Sequence, residues 1–509
     1  MKAIFVLSVC LVAGWCVASE DCAAAARRYR AGTDARIAAI RATPNMSVPP
    51  GIDVYYLSAD GDDAKDGRTP GTAWRTIRRL NREWGRIKPG SCVLFRRGDT
   101  WRAASLADRL KGSAGVTYSA YGTGAKPRLT ASPFNGADPA RWRKTDAPGI
   151  WACQLERTDV GLVVFDEGKA HGIKILPVYH KDGTTTAQYT GRPFKDYRDL
   201  DADLHFYHDY STNGIGKGTG MLYLHSRENP GRRFSSIEFG QSRHVISSRT
   251  EPGITFDNLC VMYGGAHGIW QYAATNMVVR NCEIGWIGGG IQGERLFGRR
   301  WAVRWGNGVE VGFCDGYTVT NCYLYQIYDA AVTHQGDAIS RFNGKEKVLS
   351  QRRIRYVDNV IEKCNYSIEY FIGHCPDGNP SRMEDYLIAG NMMWDAGSGL
   401  CEQRPDRNQD AHIKSWEHEN RATGYVIRNN LFAGAHMQMI QICSQLRNPD
   451  GSDSMPRLEG NVFLGRAKRL GAVEQLPCPR THATYMPLDS RAEAYLNRLG
   501  SANRVILPE

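Results

Sequence analysis

The chain predicts an all-β fold, a right-handed parallel β-helix with helical caps and an inserted β-rich subdomain. Three observations carry that prediction. An Asn recurs seven times after an alternating apolar strand. A second kind of strand follows these segments. The intervals between repeats vary but never fall below one short coil.

The Asn segments are ITFDN (Asn258), MVVRN (Asn281), YTVTN (Asn321), IRYVDN (Asn359), DYLIAGN (Asn391), YVIRNN (Asn430) and PRLEGN (Asn461), spaced 23, 40, 38, 32, 39 and 31 residues apart. Self-similarity at irregular spacing marks a solenoid with loops inserted into individual coils. Coils stack at a strand spacing of ~4.8 Å. The Asn amides then form a ladder that hydrogen-bonds along the axis and satisfies corner backbone groups. Cys282 and Cys322 each follow a ladder Asn. They should stack, either as a disulfide or as a plain apolar pair.

The remaining chain divides around this array. Residues 1–19 read as a secretory signal: Lys2 is the basic start, Ala3 to Val17 is apolar, and Val17-Ala18-Ser19 offers small residues for cleavage. The expected location is therefore secreted or periplasmic, and no later stretch is apolar enough to span a membrane. Residues 20–50 read as a helical segment and linker, 51–131 as the cap and first coils, and 132–240 as the inserted subdomain. Residues 241–480 form the main β-helix and 481–509 the C-terminal cap. The acidic loop from Asp60 to Gly67 is a turn; a calcium loop is the alternative, but it lacks the spacing and closing Glu of an EF-hand. No cofactor motif is present. A metal site from His334, His412 and His418 lacks any recognised spacing.

Composition agrees with a folded, loop-rich β protein: 54 Gly, 10% aromatic and only 23% charged residues. The formal charge of +11 favours an anionic partner, although such a charge also serves solubility. The basic residues form no nucleic-acid stripe. The chain is expected to be a monomer.

The second kind of strand carries the chemistry. Aligned on their apolar residue, HGIWQY, GGIQGE, NGVEVG, AAVTHQ, YSIEYF and SGLCEQ point the next residue outward. The outward column is then Trp270, Gln292, Glu310, Thr333, Glu369 and Cys401. Asp329 lies just before the strand of Thr333, with His334 and Gln335 following, and Asn307 and Glu402 nearby. Paired carboxylates are what glycoside hydrolysis needs: one protonates the leaving oxygen, the other attacks or activates water. Glu310 and Asp329 are the leading pair, Glu369 is in reserve, and His334 is a further candidate. Inter-coil loops add Arg304, Trp305, Arg404, Lys414 and Trp416 as walls. Aromatic plates suit sugar faces, and Arg forks suit carboxylate or sulfate.

The opening (DVYYLSADGDDAKDGRTPGTAWRTI), the insertion (LHFYHD, MLYLHSRENPGRRFSSIEFG) and WGNGVEV with NCYLYQIYDAAVTHQG resemble secreted parallel β-helix carbohydrate-active enzymes of polysaccharide-degrading bacteria. Within that group the chain is similar to glycoside hydrolase family 141. That family includes α-L-fucosidase and xylanase activities, and the resemblance implies acidic catalysts on the exposed face, at Glu310 and Asp329 with Glu369 in reserve. The expected function is hydrolysis of a complex polysaccharide, neutral or anionic. The alternatives are a polysaccharide lyase, with His334, Lys414 or Arg404 as base or charge neutraliser, and a non-catalytic carbohydrate-binding protein.

Overall fold

The computed structural model describes residues 21–508 apart from 212–214, 297–298, 337–350, 373–381, 406, 417–419 and 478–482. The expected signal segment, residues 1–19, lies outside the described residues, as does His418.

The chain winds into a right-handed parallel β-helix bounded by three parallel sheets. The first sheet runs from Val54–Leu57 through Cys92–Arg96, Thr117–Tyr121, Gln351–Val357, Met383–Ala389 and Ala422–Arg428 to Gly500–Ser501. The second follows each corner and includes Cys260–Gly264, Glu283–Ile287, Met392–Ala396 and Leu431–Ala435. The third begins at Leu110–Lys111 and Ile246–Ser248. It continues through the starts of Ile269–Arg280 and Val309–Thr320, the ends of Tyr323–Gln335 and Val360–Phe371, then Ala411–Ser415, Gln438–Ser444 and Arg469–Gln475. Ile246, Ile269, Val309, Val332, Ile368, Ile413 and Ile440 stack inward on this sheet, all fully buried. Burying each such side chain contributes about 1.5–3 kcal/mol.

The Asn repeat resolves into two adjacent columns rather than one ladder. Asn258, Asn281 and Asn321 occupy a left-handed corner position, with φ of 58°, 55° and 49°. Asp358, Gly390, Asn429, Gly460 and Ala502 hold the same position in later coils. Gly, Asn and Asp dominate there because they tolerate positive φ. Asn359, Asn391, Asn430 and Asn461 sit one residue further on. Each donates its Nδ2 to the next amide's Oδ1 at 2.9–3.0 Å, and the run ends on Asn503. Cys282 and Cys322 extend this inner column toward the N-terminus. They are free thiols, with Cys282 N–H donating to Cys322 Sγ at 3.5 Å.

Helix α1, Cys22–Arg41, lies along the outside of the second sheet. Ala25 packs against Leu464 and Ile506, while Arg41 at the far end pairs with Glu283 at 2.6 Å. Twenty residues of helix span ~30 Å. The six rung steps from the strand of Ile506 to that of Glu283 span ~29 Å at the sheet spacing. The helix is thus matched to the wall it covers. At the other end, the helix Ala492–Asn497 buries Ala492 and Leu496 against the last coils.

Between Arg128–Thr130 and Ile246–Ser248 the chain builds small sheets outside the coil: one of three strands centred on Val160–Phe165, and one of five strands that includes Ile150–Gln154 and Met221–His225. A four-stranded sheet joins Pro177–His180 to the antiparallel hairpin Gly290–Leu296 and Arg299–Trp305, which rises from the coil itself. The inserted part and the coil are cross-linked by buried polar contacts. Lys174 Nζ holds both oxygens of Asp159 at 2.6 Å, Asp159 accepts from Ile291 N–H at 2.8 Å, and Lys174 N–H donates to Gln403 at 3.0 Å.

Candidate active site

The site grows from the outer face of the third sheet. Strand register sets Lys111, Ser247, Trp270, Glu310, Thr333, Glu369, Lys414 and Gln441 in one outward column. Glu310 and Glu369 are two rungs apart, so their backbones lie roughly 10 Å from one another. At the corner leading into the sheet, His244, His267, Asn307 and Ala330 follow in register beside that column. A bulge between Ile327 and Ala330 turns Asp329 toward the same region.

Each carboxylate has its own environment. Glu310 Oε2 accepts from Asn307 Nδ2 at 2.7 Å and faces His267 Nδ1 at 3.0 Å. Asn307 in turn accepts from Ala330 N–H at 2.8 Å, so one amide ties Glu310 to the strand that follows Asp329. Asp329 is paired with Arg404 at 2.6 Å, both nearly sealed from solvent. The guanidinium also stacks over Tyr328 and Tyr366. Glu369 Oε2 accepts from Gln335 Nε2 at 2.8 Å, and its other oxygen accepts from the indole N–H of Trp416.

These surroundings drive the groups apart electrostatically. Burial, and then the negative charge of Asp329, push the Glu369 carboxyl up to about 8; Glu310 adds to the same effect. Trp416 and Arg404 oppose the shift only in part. Lys414, the next residue in the column, is moved down to about 8 by burial. Its ammonium donates to Gln441 at 2.6 Å and lies 4.6 Å from the Trp416 ring centre. Glu369 is therefore protonated at neutral pH, beside an aspartate that holds an arginine. One carboxyl placed to give a proton next to another placed to accept one is the arrangement acid–base chemistry requires.

The structure thus gathers Glu310, Asp329, Glu369, Asn307, Gln335, Trp270, Arg404, Lys414 and Trp416 in one region. Six expected site residues are placed elsewhere. His334 points into the coil, where it bonds Tyr356 Oη at 2.8 Å and burial lowers it to about 3. Alternation explains this, since Thr333 before it and Gln335 after it face out. Gln292 and Cys401 do not belong to the column: Gln292 lies in the antiparallel hairpin and Cys401 in the 3-10 turn Gly399–Gln403. The residue that follows Glu369 in the column is Lys414. Arg304 is buried, bonding Gly289 O at 2.8 Å and stacking on Tyr328, so it braces the back of the site. Glu402 is exposed, accepts from Gly399 N–H at 3.0 Å and acts on His171 rather than on the carboxylates. Trp305 is exposed at the end of the hairpin, just before Gly306 and Asn307.

Two residues of the site escaped the sequence reading. His267 shares the corner register of Asn307, and His244 stacks between it and Trp270, with ring centres 4.9 and 5.1 Å away. Burial keeps His244 neutral by lowering it well below the ordinary histidine range. The visible signal was the two-residue offset His267–Ile269, which repeats as Asn307–Val309. Among the described residues, no group of three or more His, Cys, Asp or Glu is placed to hold a metal ion. His412 is buried among the coils, bonded to Ser367 and Gly434.

Fold and site together define a parallel β-helix protein with a carboxylate-rich outer face. No protein-family model matches the chain, and no curated protein matches it. Among solved structures it is similar to a xylose complex of XylC, at 10% identity and TM-score 0.45, covering 90% of this chain and 76% of that one. It is also similar to a family GH136 lacto-N-biosidase from Eubacterium ramulus, at 14% identity and TM-score 0.42, covering 89% and 68%. A family 28 exopolygalacturonase from Yersinia enterocolitica aligns at 10% identity and TM-score 0.37, covering 89% and 78%. Among the described residues, no helix is long and apolar enough to cross a membrane.

Proposed function

We propose that the protein is a glycoside hydrolase acting on a complex polysaccharide, exported as its opening residues suggest. Glu369 is the general acid. It gives its proton to the glycosidic oxygen as the bond to the anomeric carbon breaks. Asp329, with Glu310 as the other nearby carboxylate, takes a proton from water, whose oxygen bonds to the anomeric carbon; in a retaining sequence the carboxylate attacks first and water follows. Trp270 and Trp416 offer faces for sugar rings. The single observation that carries this reading is the burial of the Glu369 carboxyl beside the Asp329–Arg404 pair, which pushes its pKa upward. With Glu369 protonated, Glu310 and Asp329 balance Arg404 and Lys414, so the unit at the cleaved bond is best a neutral sugar.

A second reading, a polysaccharide lyase, draws on Lys414, whose ammonium is weakened to about 8 and could serve as the base. Purified protein on a polysaccharide panel separates the two. New reducing ends without ultraviolet-absorbing products, lost in Glu369→Gln, support the hydrolase. Unsaturated products lost in Lys414→Ala support the lyase. No cleavage of any glycan under either assay removes both.

A further inference from the structure

The outward column does not end at Glu310. Trp270 and then Ser247 continue it, and beside Ser247 the face opens into a cavity of about 640 Å³. That is the size of a small-molecule site. Its floor is Ser247 and Ser248; its wall is Trp84, whose indole N–H donates to Gly112 O at 2.9 Å and so fixes a half-exposed ring plate. Three cations line it: Arg109, Lys111 and Arg249. None of the three is paired with a carboxylate among the described residues. Arg109 Nε is sealed from solvent with no hydrogen-bond partner, and Arg243 and Arg249 repel its charge further. Glu251 is the one acidic group in the lining. Guanidinium groups left unpaired around an aromatic plate suit a sugar ring bearing carboxylate or sulfate.

We infer that this cavity is a distal subsite for an anionic unit of the polysaccharide, gripped by Arg109 and Arg249 and stacked on Trp84. The inference rests on the hydrolase reading and adds a substrate class to it. Ser247 lies four rungs from Glu369, roughly 19 Å along the column. A chain bound in both places is an oligosaccharide laid along the coil axis, neutral where it is cut and charged where it is held. The positive charge of the cavity and the carboxylates of the site divide the face between these two tasks.

The test is binding of three oligosaccharide probes by calorimetry: one uronate-bearing, one sulfated and one neutral. The protein carries Glu369→Gln so that the probes stay intact. At low salt the anionic probes should bind, and Arg249→Gln, an exposed position, should weaken them about tenfold. Trp84→Ala should weaken them as well, and added salt should do the same. Binding of only the uronate or only the sulfated probe identifies the charged group. The inference is overturned if no anionic probe binds, or if Arg249→Gln and Trp84→Ala, with unchanged melting temperatures, leave binding unaltered. If neutral glycans are hydrolysed with no preference for charge, the subsite fails while the hydrolase stands. If anionic probes bind in the predicted way but no glycan is ever cleaved, the hydrolase fails alone.

Discussion

Arg404 and Asp329, 75 residues apart in the chain, meet at 2.6 Å beneath the outer face of the third sheet. The loop that brings Arg404 there also carries Gln403, which bonds the inserted subdomain through Lys174 N–H. The inserted sheets, the inter-coil loop and the aspartate are therefore one polar unit. Arg404→Ala leaves a buried carboxylate without its partner, a loss of about 3–5 kcal/mol. Urea unfolding should show it as a lower midpoint, together with loss of glycan cleavage. Arg404→Lys keeps a charge but not the fork, so it should recover stability in part and activity less.

The Glu369 carboxyl makes stability depend on pH in a defined direction. Its folded value, about 8, lies above the ordinary glutamate range. The folded state therefore keeps a proton that the unfolded chain has released. Stability from this group is complete below about 4.3, the unfolded value, and declines as pH rises through about 8. Glu369→Gln removes the titration. Its melting temperature relative to the native protein should rise steadily between pH 5 and pH 8, on the order of those two values. A constant difference over that range would contradict the assignment.

The inner Asn column should behave as structure rather than function. Asn391 accepts from Asn359 N–H and donates to Tyr356 O at 2.8 Å and to Asn430 at 2.9 Å. Asn391→Ala strands several buried groups, each worth about 1–3 kcal/mol. Denaturant unfolding should report a loss of about 3 kcal/mol or more. Sugar binding by whatever fraction remains folded should be unchanged.

Cys282 and Cys322 stack as thiols, and burial pushes Cys322 well above the usual thiol range. A thiol reagent should not reach them in the native protein and should do so on unfolding. Reductant should leave the melting temperature where it is; a large drop would mean that the pair is bonded.

Much of this was legible in the sequence, for reasons that also mark its limits. Seven Asn after alternating strands exposed the coil, because stacking forces the same residue type into the same corner. What they could not show is that the corner demands a left-handed residue and the inner column demands an amide, so Asn serves both and hides a one-residue shift at Asn359. The exposed column was legible at Trp270, Glu310, Thr333 and Glu369, while Ser247, Lys414 and Gln441, carried by coils without the glycine–apolar–polar pattern, were not read as part of it. It failed at Gln292 and Cys401, where a hairpin and a 3-10 turn imitate a glycine–apolar–polar strand. His334 was misplaced by proximity to Thr333, although alternation alone turns it inward. The pairing of Asp329 with Arg404 was not readable, because no local rule reports where a long loop returns.

The central claim is that Glu369 supplies the proton for glycosidic bond cleavage. The most direct measurement is kcat/KM against pH for the native protein and Glu369→Gln on a polysaccharide that the native protein cleaves. The native rate should fall as pH rises through about 8, and Glu369→Gln should lose roughly a hundredfold or more and show no such limb. A Glu369→Gln protein that cleaves at the native rate, or that keeps the same alkaline limb, would contradict it.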